Sequence, residues 1–213
     1  MLGLDAPTLI ANIVTLIIAF TFHELAHAWT ATELGDDTPR RMGRLTLNPL
    51  AHLDPLGSLL LVFAGFGWAK PVPVNPYRLR NGPQLGMALV AAAGPFSNLI
   101  MALLAAIPFR LGLLNAFNSL SSGSRLLPSP SFLLGHFIFI NLVLMLFNLI
   151  PIPPLDGSRI LRGLAPREWD TGLAQLEQWG PFLLMALVFL GRGVFGLIIG
   201  PPVNFLYKIM LGL

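Results

Sequence analysis

The pentapeptide His23-Glu24-Leu25-Ala26-His27 places two imidazoles and one carboxylate within five positions. Histidines at i and i+4 lie on one face of a helix, where both can bind a single zinc ion. The glutamate between them is suited to take a proton from a metal-bound water. The motif therefore predicts a metal-dependent hydrolase, with His23 and His27 as zinc ligands and Glu24 as the catalytic base.

The surroundings of this motif are apolar. Residues 9–22 carry no charge, and the whole chain is 54% hydrophobic and 11% charged. A soluble domain has about 25% charged residues. Ionisable side chains at membrane depth are costly and usually mark function. The composition therefore predicts a multi-pass membrane protein with a hydrolytic site at membrane depth.

Charge and cysteine content narrow the range of partners and metals. The formal net charge is +3, but the basic residues are spread over short connections between apolar segments, as orientation signals are. We therefore expect no nucleic-acid partner. The chain has no cysteine, so any metal must use His, Asp or Glu. The start, Met1-Leu-Gly-Leu-Asp5, lacks the basic region of a signal peptide, and we expect the first apolar segment to be retained.

Four apolar segments are long enough to cross a bilayer as helices. These predicted spans are Thr8–Leu34, Gln84–Phe109, Ser131–Ile150 and Pro181–Ile199, the second of them broken by Gly94-Pro95. Leu56–Ala69 has 14 residues, about 21 Å as a helix against a hydrocarbon core of roughly 30 Å, and is predicted to be re-entrant. The prediction is an all-α polytopic membrane protein with about four transmembrane helices, a re-entrant element, and short cytosol-side β segments at Arg44–Asn48 and Val72–Pro76.

Basic residues favour the cytoplasmic side of a membrane. All the basic clusters share one side only if Leu56–Ala69 enters and leaves by the same face. These clusters are Arg40, Arg41 and Arg44, then Lys70, Arg78 and Arg80, then Arg159, Arg162 and Arg167. We therefore expect an outside N-terminus, four crossings and a site that opens toward the cytosol. The chain is predicted to form a single membrane-embedded domain over residues 1–213, with a core of about 8–165 and a C-terminal helix of about 179–211.

Two histidines do not complete a catalytic zinc site, which usually has three protein ligands and one open position. Among the acidic residues, Glu24 and Asp156 adjoin apolar spans in a sheltered way. Asp156 follows the third span on the same predicted side as the histidines. The preceding prolines and Gly157 break the helix, so the carboxylate can turn inward. We expect one zinc ion per chain, held by His23, His27 and Asp156.

Two asparagines on the apolar spans are candidates for contact with a substrate. Asn148, just before the helix break, could donate a hydrogen bond to a developing oxyanion, and Asn98 could do so from the second span. The alternative for both is hydrogen bonding between membrane helices. His52 is expected to order a loop and His136 to pack between helices, because His136 lies about 20 residues before Asp156.

Further motifs accompany these residues in order along the chain. They are Phe22-His-Glu-Leu-Ala-His27, Gly43-Arg-Leu-Thr-Leu-Asn-Pro49, Gly67-Trp-Ala-Lys-Pro-Val-Pro-Val-Asn75, Ala93-Gly-Pro-Phe-Ser-Asn98 and Asn148-Leu-Ile-Pro-Ile-Pro-Pro-Leu-Asp-Gly157. With them the sequence resembles the site-2 protease family of intramembrane zinc metalloproteases, and looks most like the compact prokaryotic members that lack a PDZ domain. The resemblance covers about residues 20–160, which is most of the chain.

The resemblance implies a zinc-dependent endopeptidase that hydrolyses a peptide bond in or near a transmembrane segment of a membrane-spanning protein or peptide. It implies His23, His27 and Asp156 as zinc ligands, Glu24 as the base and Asn148 near the scissile carbonyl. The protein would be integral to a prokaryotic cell membrane. Its partners would be the substrate and the lipid bilayer, and a regulatory membrane partner or a homo-oligomer is compatible with this family.

Two other classes of function stay open at this point. A small membrane transporter would also have broken helices and charges within the membrane, although the inverted repeats typical of transporters are absent from the sequence. A non-proteolytic zinc-binding membrane scaffold would have no need for Glu24. The substitution Glu24→Gln separates these classes, because a protease would lose cleavage and keep zinc, whereas a transporter or scaffold would keep its activity.

Overall fold

The computed structural model describes residues 5–57, 60, 67–121, 126–189 and 192–213. The α-helices of this part of the chain are α1 (Ala6–Glu33), α2 (Thr38–Arg41), α3 (Pro83–Arg110), α4 (Pro130–Asn148), α5 (Asp156–Leu164), α6 (Asp170–Phe189) and α7 (Arg192–Leu211). Short 3-10 helices lie in the connections. The described residues contain no β-strand, but Leu53 and Ala69 form one isolated antiparallel bridge.

Three of the described helices, α1, α3 and α4, are long and apolar enough to cross a membrane. The first two have 28 residues each and the third has 19, so they extend about 42 Å and 28 Å at the helical rise. They coincide closely with the first three predicted spans. The chain is thus an all-helical, multi-pass membrane protein in the part that the structure describes.

Local sequence sets where these helices begin. The Asp5 carboxylate accepts a hydrogen bond from the Thr8 backbone N–H at 3.2 Å, and the Ser129 hydroxyl accepts one from the Phe132 N–H at 3.2 Å. Proline stands in the first turn of both α1 and α4. The N-cap oxygen accepts a hydrogen bond from a backbone N–H that would otherwise be unpaired at the helix start, and proline has no backbone N–H. These residues therefore fix the start of each helix.

Two features of the spans differ from the sequence-based expectation. The helix α3 runs through Gly94-Pro95 without the predicted break; a membrane helix can tolerate the lost backbone hydrogen bond where neighbouring helices cover it. The described residues of the fourth predicted span, Pro181–Ile199, belong to α6 and α7, and residues 190–191 between them lie outside the described part of the chain. Leu56–Ala69, the predicted re-entrant element, lies largely outside the described residues.

The predicted β segments are not confirmed. Residues 45–47 form bends, and residues 70–75 have no regular secondary structure. The alternating pattern of Arg44–Asn48 suits a strand only where a second strand pairs with it. Here the backbone carbonyl of Thr46 instead accepts from the imidazole of His52 at 2.8 Å. The alternating residues of Arg44–Asn48 therefore belong to an irregular loop and not to a strand.

Small residues allow the membrane helices to pack closely. α3 lies against α1, α4 and α5, and α7 packs on α4. Fully buried alanines line the contact of α1 with α3, whereas larger side chains fill the space between α3, α4 and α7. Examples are Ala28, Ala31 and Ala91 in the first region and Ile138, Leu142 and Val203 in the second. The close approach of α1 and α3 determines where the predicted metal ligands meet.

Candidate active site

The three predicted zinc ligands come together at the junction of α1 and α5. Nε2 of His23 lies 3.1 Å, and Nε2 of His27 3.4 Å, from the same Oδ2 atom of Asp156. The three ligand atoms all lie within 4.8 Å of one another, and all three residues are buried. Two imidazoles and one carboxylate are a donor set that zinc takes in catalytic sites. The residues present therefore fit the ion.

Hydrogen bonds at the other ring nitrogens hold both imidazoles in the form that a metal requires. Nδ1 of His23 lies 2.6 Å from Oδ1 of Asn98, and Nδ1 of His27 lies 2.7 Å from the carbonyl oxygen of Val90. Both partners are acceptors, so Nδ1 of each ring carries the proton and donates. The lone pair on each Nε2 is then free for a metal.

Asn98 belongs to a chain of hydrogen bonds across three helices. Its Nδ2 donates to Oδ1 of Asn141 at 2.8 Å, and the Asn141 amide donates to the Phe137 carbonyl at 2.8 Å. Both asparagines are fully buried. These hydrogen bonds orient the Asn98 oxygen toward His23, so Asn98 positions a predicted ligand. Its predicted contact with substrate stays a prediction.

Glycine at position 94 lets α3 pass directly over the imidazole rings. A Cβ atom there would lie 2.5 Å from Cε1 and Nε2 of His27 and 2.6 Å from Cε1 of His23. Gly157 has a similar role at the third ligand, because a Cβ there would collide with the backbone carbonyl of Leu149. Any larger residue at these positions would displace the elements that carry the ligands.

Asp156 is the first residue of α5, where the positive end of the helix dipole favours a carboxylate. Burial by itself raises the pKa of Asp156, but the imidazoles of His23 and His27 beside the carboxylate outweigh it and hold the pKa below its usual range. The carboxylate is therefore ionised, as a metal ligand must be.

Glu24 lies on α1 between the two histidines and is 8% exposed. Its Oε2 atom is buried and has no hydrogen-bond partner among the described residues. An unpaired buried oxygen is costly and is rare unless a ligand or ion uses it. In the predicted role of Glu24, this oxygen would accept the proton of the attacking water.

The buried guanidinium of Arg44 ties together the two chain segments on either side of residues 54–68. It donates to the carbonyl oxygens of Ala51 and Lys70, and to that of Pro71 at 2.7 Å. The Lys70 N–H donates to the His52 carbonyl at 2.7 Å. Burial lowers the pKa of Arg44, and the negative charge of Glu24 opposes this. Arg44 thus fixes a loop within electrostatic reach of Glu24.

The remaining predicted residues lie as follows. The Asn148 amide donates to the Leu144 carbonyl of its own helix at 2.9 Å, so its predicted contact with substrate stays a prediction. His52 is fully buried and orders its loop, as predicted. His136 contacts Asn12 across α1 and α4 at 2.7 Å, which is the predicted packing between helices.

Two residues of the site region, Asn141 and Arg44, are not among those predicted from the sequence. Asn141 is a polar residue in the middle of an apolar span, and that contrast could have marked it. Arg44 was interpreted as an orientation charge, whereas it is 4% exposed. No local signal separates it from the neighbouring Arg40 and Arg41, which are exposed.

Comparison with known proteins shows the class to which this site belongs. The chain is 47% identical over 181 residues to YwhC of Bacillus subtilis (strain 168), covering 83% of this chain and 78% of YwhC. It is 30% identical over 177 residues to Rip2 of Mycolicibacterium smegmatis, covering 81% of this chain and 64% of Rip2. Both relatives carry the name "Putative zinc metalloprotease". No solved structure matches the chain. The protein is a zinc metalloprotease with membrane-spanning helices.

The family follows from the same comparisons. The model of Peptidase family M50 matches residues 112–189, a range that includes Asp156. The chain belongs to peptidase family M50, the site-2 proteases, as its resemblance predicted. No PDZ domain is found in the chain. The chain spans slightly less than two thirds of the length of Rip2.

Proposed function

We propose that this chain is an intramembrane endopeptidase that hydrolyses a peptide bond in or near a transmembrane segment of a protein substrate. The observation that carries the proposal is the location of the His23, His27 and Asp156 cluster. It is buried against a helix long enough to span a membrane. Hydrolysis at that depth suits a peptide bond that itself lies in or near the bilayer. A transporter or scaffold role is not favoured, since the relatives are named as metalloproteases.

Each residue of the cluster has a role in this proposal. His23, His27 and Asp156 would hold zinc, while Asn98 and the Val90 carbonyl keep the histidines in the required tautomer. When bound, zinc supplies Lewis acidity that makes water a nucleophile near neutral pH. The buried Oε2 of Glu24 takes a proton from the attacking water and returns it to the leaving amine.

Asn148 is the proposed hydrogen-bond donor to the substrate carbonyl as negative charge develops on it. Its amide now donates to Leu144 within α4. A side-chain rotation would exchange that carbonyl for the substrate. Because a substrate helix hides its own carbonyls in hydrogen bonds, it must unwind locally before this contact forms.

A cavity beside the cluster supports an apolar substrate. Its volume is about 480 Å³, and its lining comes from α1, α3 and α4. Thr30, Ala93 and Leu149 are examples of the lining residues. Ala93 and Pro95 of the lining flank Gly94, whose backbone passes over the imidazoles, and no residue of the cluster itself lines the cavity. We propose that apolar side chains of the substrate occupy it.

The proposed topology has four crossings, an outside N-terminus, a re-entrant Leu56–Ala69 element and a site facing the cytosol in a prokaryotic cell membrane. The bridge between Leu53 and Ala69 supports the re-entrant element, because it brings both ends of the intervening segment to one point. The Arg80 N–H donates to the Leu34 carbonyl at 2.8 Å. This contact places a second basic connection at the same end of the bundle as the end of α1. We treat residues 1–213 as one membrane-embedded domain.

The test compares Glu24→Gln with a matched control on the same helix. Glu33 is an exposed glutamate of α1 whose carboxylate accepts from the Trp29 indole at 3.3 Å. In cleavage of a model transmembrane substrate, Glu24→Gln should lower the rate by about 10²–10⁴-fold, and Glu33→Gln should leave it unchanged. Both should retain one zinc per chain by metal analysis. Cleavage by Glu24→Gln at the wild-type rate would refute the mechanism, and stoichiometric zinc without any cleavage by the wild type would refute the function.

A further inference from the structure

A second polar site lies at the opposite end of the bundle from the metal cluster. Asn12 of α1, which contacts His136 of α4, precedes His23 by 11 residues, a distance of about 16 Å along the helix. A cavity of about 360 Å³ lies beside this pair. Its lining combines three apolar side chains with Ser119, His136, Asn204, Tyr207 and Lys208.

The two proposed donors that line this cavity lie on one helix, α7, which is fixed by contacts with its neighbours. Asn204 and Lys208 stand four residues apart on α7, so both side chains project from one face of that helix. The Tyr207 hydroxyl lies 3.1 Å from Oγ of Ser119. Gly135 permits this contact, because a Cβ there would lie 2.9 Å from the Tyr207 hydroxyl. These contacts hold α7 against the 3-10 helix Phe117–Leu120 at the cavity, with Gly135 of α4 beside them.

Arg110 fixes the end of the helix that carries the donors. Its guanidinium donates to the carbonyl oxygens of Ile209 and of Met210, the latter at 3.1 Å. These are carbonyls of the last turn of α7, which carry partial negative charge. The charge of Arg110 is therefore used within the fold, and it leaves Lys208 as the cation that faces the cavity.

Lys208 has no compensating carboxylate in the described parts of the chain. None of the described carboxylates lies within 4.0 Å of the Lys208 ammonium, and no Asp or Glu side chain lines the cavity. Lys208 and Asn204 both line the cavity and are exposed at its mouth. An ammonium and a neighbouring amide in this arrangement are suited to bind an anion with several oxygen atoms, such as phosphate. The apolar part of the lining suits a hydrocarbon attached to that anion.

We propose that this cavity binds the phosphate of an anionic phospholipid headgroup, with Lys208 and Asn204 as donors. The cavity lies between α4, which is long enough to cross a membrane, and the shorter apolar stretch Gly196–Leu211 of α7. It is displaced from the cluster along the helix axes, at the depth expected for the opposite membrane surface. A free phosphate ion would use the same two donors but gain nothing from the apolar lining. A phospholipid would therefore contact both the polar and the apolar residues that line the cavity.

The experiment measures lipid binding to delipidated full-length protein in neutral detergent by native mass spectrometry. Phosphatidylglycerol, diacylglycerol with the same acyl chains and inorganic phosphate are titrated separately. Lys208→Gln removes the cation, and Lys70→Gln is the matched control because these two are the lysines of the chain. Asn204→Ala removes the second donor.

We expect one phosphatidylglycerol per chain at saturation. Lys208→Gln should weaken its binding by about tenfold or more, and Asn204→Ala by about threefold or more, because charge-assisted hydrogen bonds are stronger than neutral ones. Lys70→Gln should bind like the wild type. Equal binding by Lys208→Gln and the wild type, or equal binding of diacylglycerol, would overturn the proposal. If inorganic phosphate bound as tightly as phosphatidylglycerol, a phospholipid would be excluded as the preferred ligand of the cavity.

Discussion

Replacing Gly94 by alanine should disable the metal site directly. The added Cβ would lie 2.5 Å from two atoms of the His27 ring and 2.6 Å from the His23 ring, whereas carbon atoms pack at about 3.5–4.0 Å. The imidazoles or α3 must therefore move by about 1 Å. Metal–ligand distances tolerate only about 0.2 Å, so both histidine ligands would leave their binding positions together.

The expected loss of zinc affinity can be scaled from substitutions that have a smaller effect on the ligands. Removing a residue that only orients a ligand costs about 10–100-fold in metal affinity. Displacing two ligands should cost at least the upper end, about 100-fold, which is roughly 2.7 kcal/mol. The fold should survive, because the clash costs about 1–3 kcal/mol and alanine in a helix recovers about 0.5–1 kcal/mol relative to glycine.

The assay is zinc competition against a chelator of known affinity, together with cleavage of a model substrate and thermal unfolding of the metal-free protein. The control is Gly200→Ala on α7, where an added Cβ has nothing within 4 Å. It should retain the zinc affinity and the cleavage rate of the wild type. The reasoning would be refuted if Gly94→Ala bound zinc within about threefold of the wild type and cleaved at a similar rate.

Two further predictions concern residues around the site. Asn98→Ala removes the acceptor that fixes the His23 ring and should lower zinc affinity by about 10–100-fold in the same competition assay; the exposed Asn118→Ala should not, and equal affinities would contradict the orienting role. Burial raises the pKa of Asp36, but hydrogen bonds from Thr38 and the Asn75 N–H lower it overall. The pKa of Asp36 in the folded protein lies below its value of about 3.9 in the unfolded chain. The contribution of Asp36 to the stability of the fold is therefore complete above about pH 3.9 and is lost as the pH falls through the folded pKa. The unfolding temperature should therefore depend less on pH below about 4 in Asp36→Asn than in the wild type, and identical profiles would exclude this contribution.

The sequence predicted the three described membrane spans and the residues of the metal cluster for different reasons. Long apolar segments with proline and a cap at their start, such as those after Asp5 and Ser129, define helices locally. The pairing of His23 with His27 depends only on helical spacing. Asp156 could be predicted because the helix break before it and its side of the membrane are both readable from the chain.

The supporting contacts could not be predicted in the same way. The bond between Asn98 and Asn141 depends on which faces of α3 and α4 meet, and uniformly apolar spans give little indication of their faces. The role of Arg44 depends on a carbonyl of Lys70, 26 residues away. The alternation of Arg44–Asn48 suggested a strand, but its backbone partners lie in a loop. Contacts between distant segments decide these features, and a local pattern does not contain them.

The bridge between Leu53 and Ala69 has a consequence for variation in this part of the chain. Both ends of the intervening segment are fixed by hydrogen bonds from Arg44 and Lys70. Insertions or exchanges between residues 54 and 68 should therefore leave the His23 and His27 positions unchanged. This segment could then diverge, or be replaced by design, to alter substrate choice without rebuilding the metal site.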